Sequence, residues 1–151
     1  MLQQVEASLP VDIAIFAAAV ADWRVANAGE QKLKKTGSGM PPLQLVENPD
    51  ILKEAGRQKG DRILVGFAVE SDAPRQGALD KLRRKNLDLI VLNAPTAFGA
   101  DVTSVDIIDR HERTVSLRDV AKQDVAREIL REVETLSLCR QPGSGDVNAE
   151  D

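Results

Sequence analysis

Aromatic side chains are scarce in this chain: one Trp, three Phe and no Tyr among 151 residues. The interior must then be filled by Ala, Val, Leu and Ile, which suits an α/β protein with buried parallel strands. A single cysteine, Cys139, excludes an internal disulfide framework and a cysteine-based zinc site, and it fits a reducing compartment. No activating base is visible near it, so Cys139 reads as inert. The single histidine, His111, has no nucleophile or metal-ligating neighbour in the sequence, and no Ser-His-Asp set emerges. Long apolar runs are missing as well, since none approaches the roughly 20 residues of a membrane-spanning helix. The start Met1-Leu2-Gln3-Gln4-Val5-Glu6-Ala7 lacks the basic opening and apolar core of a signal peptide, so a cytoplasmic protein is expected. Positive charge is in deficit: a net charge of −4 offers no basic face to a phosphate backbone, which argues against nucleic acid as a partner. No glycine-rich phosphate loop follows a first strand. Gly37-Ser38-Gly39 sits in the wrong context for G-x-G-x-x-G, and no Walker loop is present.

What remains is the composition of a soluble globular domain, 42% hydrophobic and 29% charged, of a length that buries roughly two-thirds of its unfolded surface. Leu2, Val5 and Leu9 mark a short amphipathic helix over residues 1–9. Asp12 to Ala21 is a nearly continuous apolar run, read as a buried parallel strand. Residues 24–42 turn polar and contain Gly29, Gly37, Gly39, Pro41 and Pro42; so long a loop in a compact domain is more often functional, or partly disordered, than idle. Asn48-Pro49-Asp50 predicts a helix start, with Asn at the N-cap and Pro at the first helical position, running to about Lys59 and stopping at Gly60. Arg62 to Glu70 reads as a second buried strand. A helix beginning near Asp72-Ala73-Pro74 turns Ala78, Leu79 and Leu82 inward, and its opposite face presents Lys81, Arg84 and Lys85. Leu87 to Asn93 is a third buried strand. Val105-Asp106-Ile107 and Thr114-Val115-Ser116-Leu117 alternate on either side of a polar turn and predict an edge hairpin with one wet face. Val120 to Leu138 predicts an amphipathic helix with Val125, Ile129, Leu130 and Val133 on one side, and residues 139–151 have the composition of a disordered tail. The order predicts a Rossmann-like, doubly wound α/β domain over residues 1–138, its mainly parallel sheet finished by an antiparallel hairpin. Three central strands make a small sheet, and the chain opens in a helix. Either the ligand is held by means other than a glycine loop, or the first half of the sheet lies on residues not present here.

In open α/β sheets, ligands lie outside the carboxyl ends of the strands. That gathers Asp22, Phe67, Glu70 and Asn93 around one crevice. The helix start at Pro49-Asp50 would turn its free backbone N–H groups to the same side, an anion site. The run Phe16-Ala17-Ala18-Ala19-Val20-Ala21-Asp22-Trp23-Arg24 delivers a carboxylate to this edge, and Lys32-Leu33-Lys34-Lys35 follows on the polar loop. Together with Lys81 and Lys85 the set suits a polyphosphate. A nucleoside triphosphate, with roughly four negative charges, would need several such donors and Mg2+ shared between its phosphates. Each feature also has an ordinary structural reading. Asp22 is a turn cap, Lys32, Lys34 and Lys35 a solvated loop, Lys81, Arg84 and Lys85 a solvated helix face, Phe67 core, and Asn48-Pro49-Asp50 a capping signal. Pattern alone leaves both readings open.

Five segments, in order, resemble the phosphopantothenate–cysteine ligase family, also called phosphopantothenoylcysteine synthetase. They are Ala18-Ala19-Val20-Ala21-Asp22-Trp23-Arg24, Lys32-Leu33-Lys34-Lys35, Glu47-Asn48-Pro49-Asp50-Ile51-Leu52, Val65-Gly66-Phe67-Ala68-Val69-Glu70-Ser71, and Lys81-Leu82-Arg83-Arg84-Lys85-Asn86-Leu87-Asp88 leading to Asn93. Each is weak singly and the set is strong, covering about residues 1–137. In bacteria this family is usually the C-terminal half of a bifunctional coenzyme A biosynthesis protein, behind a flavin-dependent decarboxylase. The resemblance implies a two-step ligation. The carboxylate of 4′-phosphopantothenate attacks the α-phosphate of CTP to give an acyl-cytidylate and pyrophosphate, and the amino group of L-cysteine then displaces CMP. It implies that Asp22, Pro49, Asp50, Ile51, Leu52, Phe67, Lys81 and Lys85 contact CTP. Lys32 would reach the phosphates from a flexible flap and assist catalysis, while Ala18, Ala19 and Asn93 line the pocket. Mg2+ is implied without assigned ligands, and FMN only where a decarboxylase domain is present elsewhere. A homodimer is implied, with the hairpin at 103–118 as its edge, and a fused or associated decarboxylase as a further partner.

The sequence also departs from the family pattern. Members begin with a strand, a Gly-containing turn and a segment like I-D-P-V-R…N-x-S-S-G that holds the phosphopantothenate. This chain starts just after that region, so the expectation is a CTP-binding portion, truncated at its N-terminus, that is poorly active or inactive alone. Val69 stands where the family usually has Ala, and Leu92 lies in a segment usually read V-A-N. Two other readings compete. One is a non-catalytic nucleotide-binding or dimerisation subunit that pairs with a flavin decarboxylase. The other is an NAD enzyme, which the missing glycine fingerprint disfavours.

Overall fold

Two apolar runs, 63–69 and 89–93, become neighbouring parallel strands because helices cover both of their faces. The computed structural model describes residues 1–28, 42–70, 74–93 and 102–140. In chain order the elements are α1 (Leu2–Ala7), β1 (Ile13–Phe16), β2 (Trp23–Val25), β3 (Leu45–Glu47), α2 (Ile51–Arg57), β4 (Ile63–Val69), α3 (Pro74–Arg84), β5 (Leu89–Asn93), β6 (Val102–Asp109), β7 (Thr114–Ala121) and α4 (Lys122–Arg140). The main sheet runs β1-β4-β5-β6-β7. The first three strands are parallel, and β6 and β7 form an antiparallel hairpin against β5. This is the α/β fold the sequence predicts, with the hairpin at the expected edge.

Alternation along the strands divides the interior into two cores. Leu64, Ala68, Leu87 and Ile90 pack with Ala78, Leu79 and Leu82 of α3. Ile63, Val65, Leu89, Val91, Val105 and Ile107 pack with Val125, Ile129 and Val133 of α4 on the opposite face. Leu64, Leu89 and Ile90 have no exposed surface, and burial of this kind stabilises by about 1.5–3 kcal/mol per side chain. Two glycines permit close approach. A Cβ on Gly66 would lie 2.8 Å from methyls of Leu52 and Leu87, and one on Gly56 would lie 1.9 Å from the backbone oxygen of Lys85. Just beyond, Asn86 ends α3 in the left-handed region at φ 53°, a conformation Asn tolerates better than most residues. Its side-chain amide donates to the Gly56 carbonyl at 3.1 Å.

Several expectations need correction. The apolar run from Asp12 to Ala21 yields a strand of only four residues, and neither Ile13 nor Ile15 is buried (43% and 42% exposed). Among the described residues β1 is an edge with one neighbour, and the alanines that follow are weak strand formers, so the chain leaves the sheet after Phe16. Arg24 and Val25, at the start of the polar stretch 24–42, join Trp23 in β2, which pairs antiparallel with β3 in a separate ribbon that local pattern did not signal. The cap of α2 is Asp50, whose carboxylate accepts from the Lys53 N–H at 3.0 Å, so Asn48 and Pro49 precede the helix. Leu130 is 58% exposed, because Val125, Ile129 and Val133 alone define the inward stripe of α4. α4 also runs through Cys139 to Arg140, two residues assigned to the tail, and Arg140 is paired with Asp88. Residues 141–151 lie outside the described residues. No described helix is long and apolar enough to cross a membrane.

Candidate functional site

The parallel strands β1, β4 and β5 end together at one edge of the sheet, and the candidate residues distribute themselves around it. Lys81 lies on the last full turn of α3, with Lys85 one turn further at its end. Neither is a solvated outward group as the helical spacing predicted; Arg84 is. The half-buried Lys81 folds its stem back to the sheet and donates from Nζ to the Phe67 carbonyl at 2.9 Å. Lys85, with its side chain 12% exposed, reaches across to α2 and meets both carboxylate oxygens of Asp50 at 2.9 and 2.7 Å. Long aliphatic stems let lysines cover apolar surface while the ammonium emerges at an edge, which is why face assignment from spacing fails here.

Burial pulls the Lys81 pKa below its ordinary value of 10.5, and the Lys85 charge adds to this; Glu70, Asp50 and Asp22 act in the opposite direction. Those three carboxylates are therefore within electrostatic reach of the ammonium. Burial raises the Asp50 pKa, but the Lys85 hydrogen bond, the Lys53 N–H and both lysine charges outweigh it and leave the carboxyl below 3.8. The expected anion site at the start of α2 is altered accordingly. The helix has only seven residues, and a carboxylate already occupies its N-terminal cap.

Asn48 organises the neighbouring ribbon. Its backbone N–H donates to the Asp22 carbonyl at 2.7 Å, its side-chain amide donates to the Ala21 carbonyl at 2.7 Å, and its Oδ1 accepts from Arg24. The Asp22 segment is thereby tied to the entry of α2. The Asn-Pro-Asp motif signalled a helix start, but this bridging role has no local pattern.

The remaining candidates separate. Ile51 is buried, and Leu52 packs over Gly66, so these side chains belong to the core. Pro49 lines a hollow with Leu2, Val20 and Ile51. Ala18 and Ala19 are exposed beyond the end of β1. The side chains of Phe67 and Asn93 point to the α4 face, where they line a cavity of about 300 Å³ together with Thr103 and Val125. The strand end therefore has an ammonium side, with Lys81, Lys85 and Asp50, and an apolar side, with Phe67 and Asn93. Lys32, with Lys34 and Lys35, lies outside the described residues. Among the described residues no group of three or more His, Cys, Asp or Glu could hold a metal ion.

An open α/β sheet with charged groups and a cavity at the carboxyl ends of its parallel strands belongs to the broad class of α/β folds that seat ligands at that edge. The particular family is given by comparison. The family profile described as DNA/pantothenate metabolism flavoprotein C-terminal domain matches residues 1–136, and the chain belongs to that family. It is 45% identical over 132 residues to the Coenzyme A biosynthesis bifunctional protein CoaBC of Bacillus subtilis (strain 168), covering 83% of this chain and 32% of that protein. It is 42% identical over 137 residues to a protein named Cysteine/Cysteine sulfinic acid decarboxylase from an unknown prokaryotic organism, covering 87% and 38%. The crystal structure of the C-terminal domain of a Coenzyme A biosynthesis bifunctional protein CoaBC superposes with a TM-score of 0.73 at 30% identity, covering 91% of this chain and 61% of that one. The chain thus spans about a third of the length of the two curated relatives.

Proposed function

We propose that this chain serves coenzyme A biosynthesis by binding CTP at the carboxyl edge of β4, for the ligation of 4′-phosphopantothenate with L-cysteine through an acyl-cytidylate. The observation that carries the reading is the pair Lys81 and Lys85, drawn in from α3 and poised at the strand ends. Lys81 gives its hydrogen bond to a neutral carbonyl, so its charge remains available to an outer phosphate. Lys85 would exchange part of its contact with Asp50 for a phosphate oxygen. Lys32 would meet the phosphates and stabilise charge on the departing pyrophosphate.

Three carboxylates accompany these two ammonium groups, so the pair itself holds no surplus of positive charge for a tetra-anion. Mg2+ fits this donor set. It binds through phosphate oxygens with one or two carboxylates, and Asp22 and Glu70 are the carboxylates at this edge not committed to Lys85. The ion would neutralise phosphate charge when bound.

Calorimetry of the full 151-residue chain with CTP, ATP and NAD, each with and without Mg2+, tests the reading. CTP should bind most tightly and more tightly with Mg2+; no measurable CTP affinity in a folded sample would refute it. A second reading is a non-catalytic nucleotide-binding or dimerisation subunit partnering a flavin-dependent decarboxylase. The decarboxylase name of one relative and the greater length of both favour it. CTP binding without detectable ligation, in the presence of both other substrates, would support that alternative.

A further inference from the structure

Asp22 lies on a stretch with no helix or strand of its own, between the end of β1 at Phe16 and the start of β2 at Trp23. Its backbone is nevertheless gripped twice by Asn48, whose N–H donates to the Asp22 carbonyl and whose side-chain amide donates to the Ala21 carbonyl, both at 2.7 Å. An amide has a donor end and an acceptor end of nearly the same shape, so such a grip needs something to orient it. Arg24 supplies the orientation. Its Nη1 donates to Asn48 Oδ1 at 3.0 Å and to the Glu47 carbonyl at 2.9 Å, which turns the NH2 end of the amide toward Ala21. A reversed amide would set NH2 against a guanidinium and oxygen against a carbonyl.

The other side of Asn48 is constrained as well. A residue before proline is pushed to extended backbone, and Pro49 has a fixed φ. Asp50 follows, capping α2 and meeting Lys85. One short path of bonds thus runs from Ala21 and Asp22 through Asn48 to Asp50 and Lys85. Residues 17–22 are exposed throughout, so fixing them adds little burial energy. What the grip does fix is the strand-end carboxylate that lies within electrostatic reach of Lys81.

We propose that Asn48 is a positioning residue: through the Asp22 backbone it sets where the Asp22 carboxylate stands beside the nucleotide, and Arg24 keeps its amide the right way round. A carboxylate placed in advance loses less freedom when the ligand arrives. This inference rests on the nucleotide reading above and adds to it the residues that hold the site in shape.

Calorimetry of the full chain with CTP and Mg2+ tests it in a double-mutant cycle. Asp22→Asn and Asn48→Ala should each lower CTP affinity about tenfold, as expected for a contact group and for the neighbour that orients it. The double variant should lose no more than either alone. Asn48→Ala with Lys81→Ala should instead add in full, since Lys81 is held from Phe67 on β4. Stability should follow a different rule: Asn48→Ala should lower Tm by about 2–4 °C, whether residue 22 is Asp or Asn. Arg24→Lys, still able to donate to Oδ1, should keep most of the parent's affinity. Arg24→Ala should show the Asn48→Ala pattern more weakly, and it carries the same cycle if Asn48→Ala does not fold. Parent-like CTP affinity in Asn48→Ala would overturn the proposal. So would a fully additive loss with Asp22→Asn, or equally strong coupling to Lys81→Ala, either of which makes Asn48 a general brace. Asp22→Asn that binds CTP as the parent does removes the contact being positioned and overturns the proposal alone. A parent chain that does not bind CTP overturns the nucleotide reading with it.

Discussion

At the amino end of β5 the Asp88 carboxylate is fully buried and surrounded by cations; at the carboxyl end of β4, Lys81 is half-buried and holds a single neutral oxygen. Asp88 accepts from the Leu64 N–H at 2.8 Å, meets Lys59 at 2.7 Å, and pairs with Arg110 and Arg140. Those partners come from the loop before β4, from the hairpin turn and from the last residue of α4, so one carboxylate joins three distant segments. Arg140 adds a bond to the Asp61 carbonyl at 2.7 Å. The same chemical groups thus serve two purposes in one sheet. Where protein donors satisfy the carboxylate, the cluster fastens the fold. Where the ammonium is left with one weak partner at an open edge, it is available to a ligand.

The largest effect should come from breaking the closed end. Asp88→Ala leaves Lys59 buried beside two guanidinium groups, a situation that costs about 3–5 kcal/mol. Denaturant unfolding should show a loss of that size, and a loss under about 1 kcal/mol would mean the cluster is not a fastening. Next comes the open end. Lys81→Ala removes a charge-assisted contact worth about 1.5–3 kcal/mol to a phosphate, so CTP affinity should fall roughly tenfold to a hundredfold. CMP affinity and folding stability should change little. Lys85→Ala should do less, since Asp50 already shares its ammonium; equal losses for CTP and CMP would refute the outer-phosphate assignment.

The smallest effect is with pH. Burial lowers the pKa of Lys81, and also that of Lys59 despite the opposing Asp88. Between the folded pKa and the ordinary 10.5 the unfolded chain holds protons that the native state has lost, so these two groups make stability rise with pH in that window. CTP affinity should fall across the same window, because the ligand needs the ammonium, and Lys81→Met should abolish that part of the slope. Asp50 works in the same direction, at the acid end. Its contribution is complete above 3.8 and is lost as pH falls through its lowered pKa, which acid melts of the parent and Asp50→Asn would resolve.

The strands buried on both faces were legible in the sequence, because continuous apolar runs such as 63–69 have few alternatives. The edge strand was overread for the same reason: thirteen through twenty-one is equally apolar, yet burial depends on a neighbour that the run itself does not reveal. Lys81 and Lys85 were candidates both from the layout of the strand edge and from family resemblance, while helical spacing placed them outside. Their location depends on which way a four-carbon stem bends, and that is set by the sheet beneath. Arg140 with Asp88, and β2 with β3, are contacts between residues far apart in sequence, for which local periodicity carries no signal. Thr103 was not anticipated, as a threonine in an alternating strand signals only strand.

Gly56 has no side chain with which to bind anything, yet it governs how wide the ammonium side can open. The Lys85 carbonyl passes so close to its α-carbon that an added methyl would overlap it at 1.9 Å. α2 acts as a rigid lever with this contact near one end and Asp50 at the other. Any larger residue at 56 would pry the lever from the end of α3 and spread the jaw between Asp50 and Lys85. The geometry of the candidate site's edge is thus gauged by a missing atom almost two helical turns away.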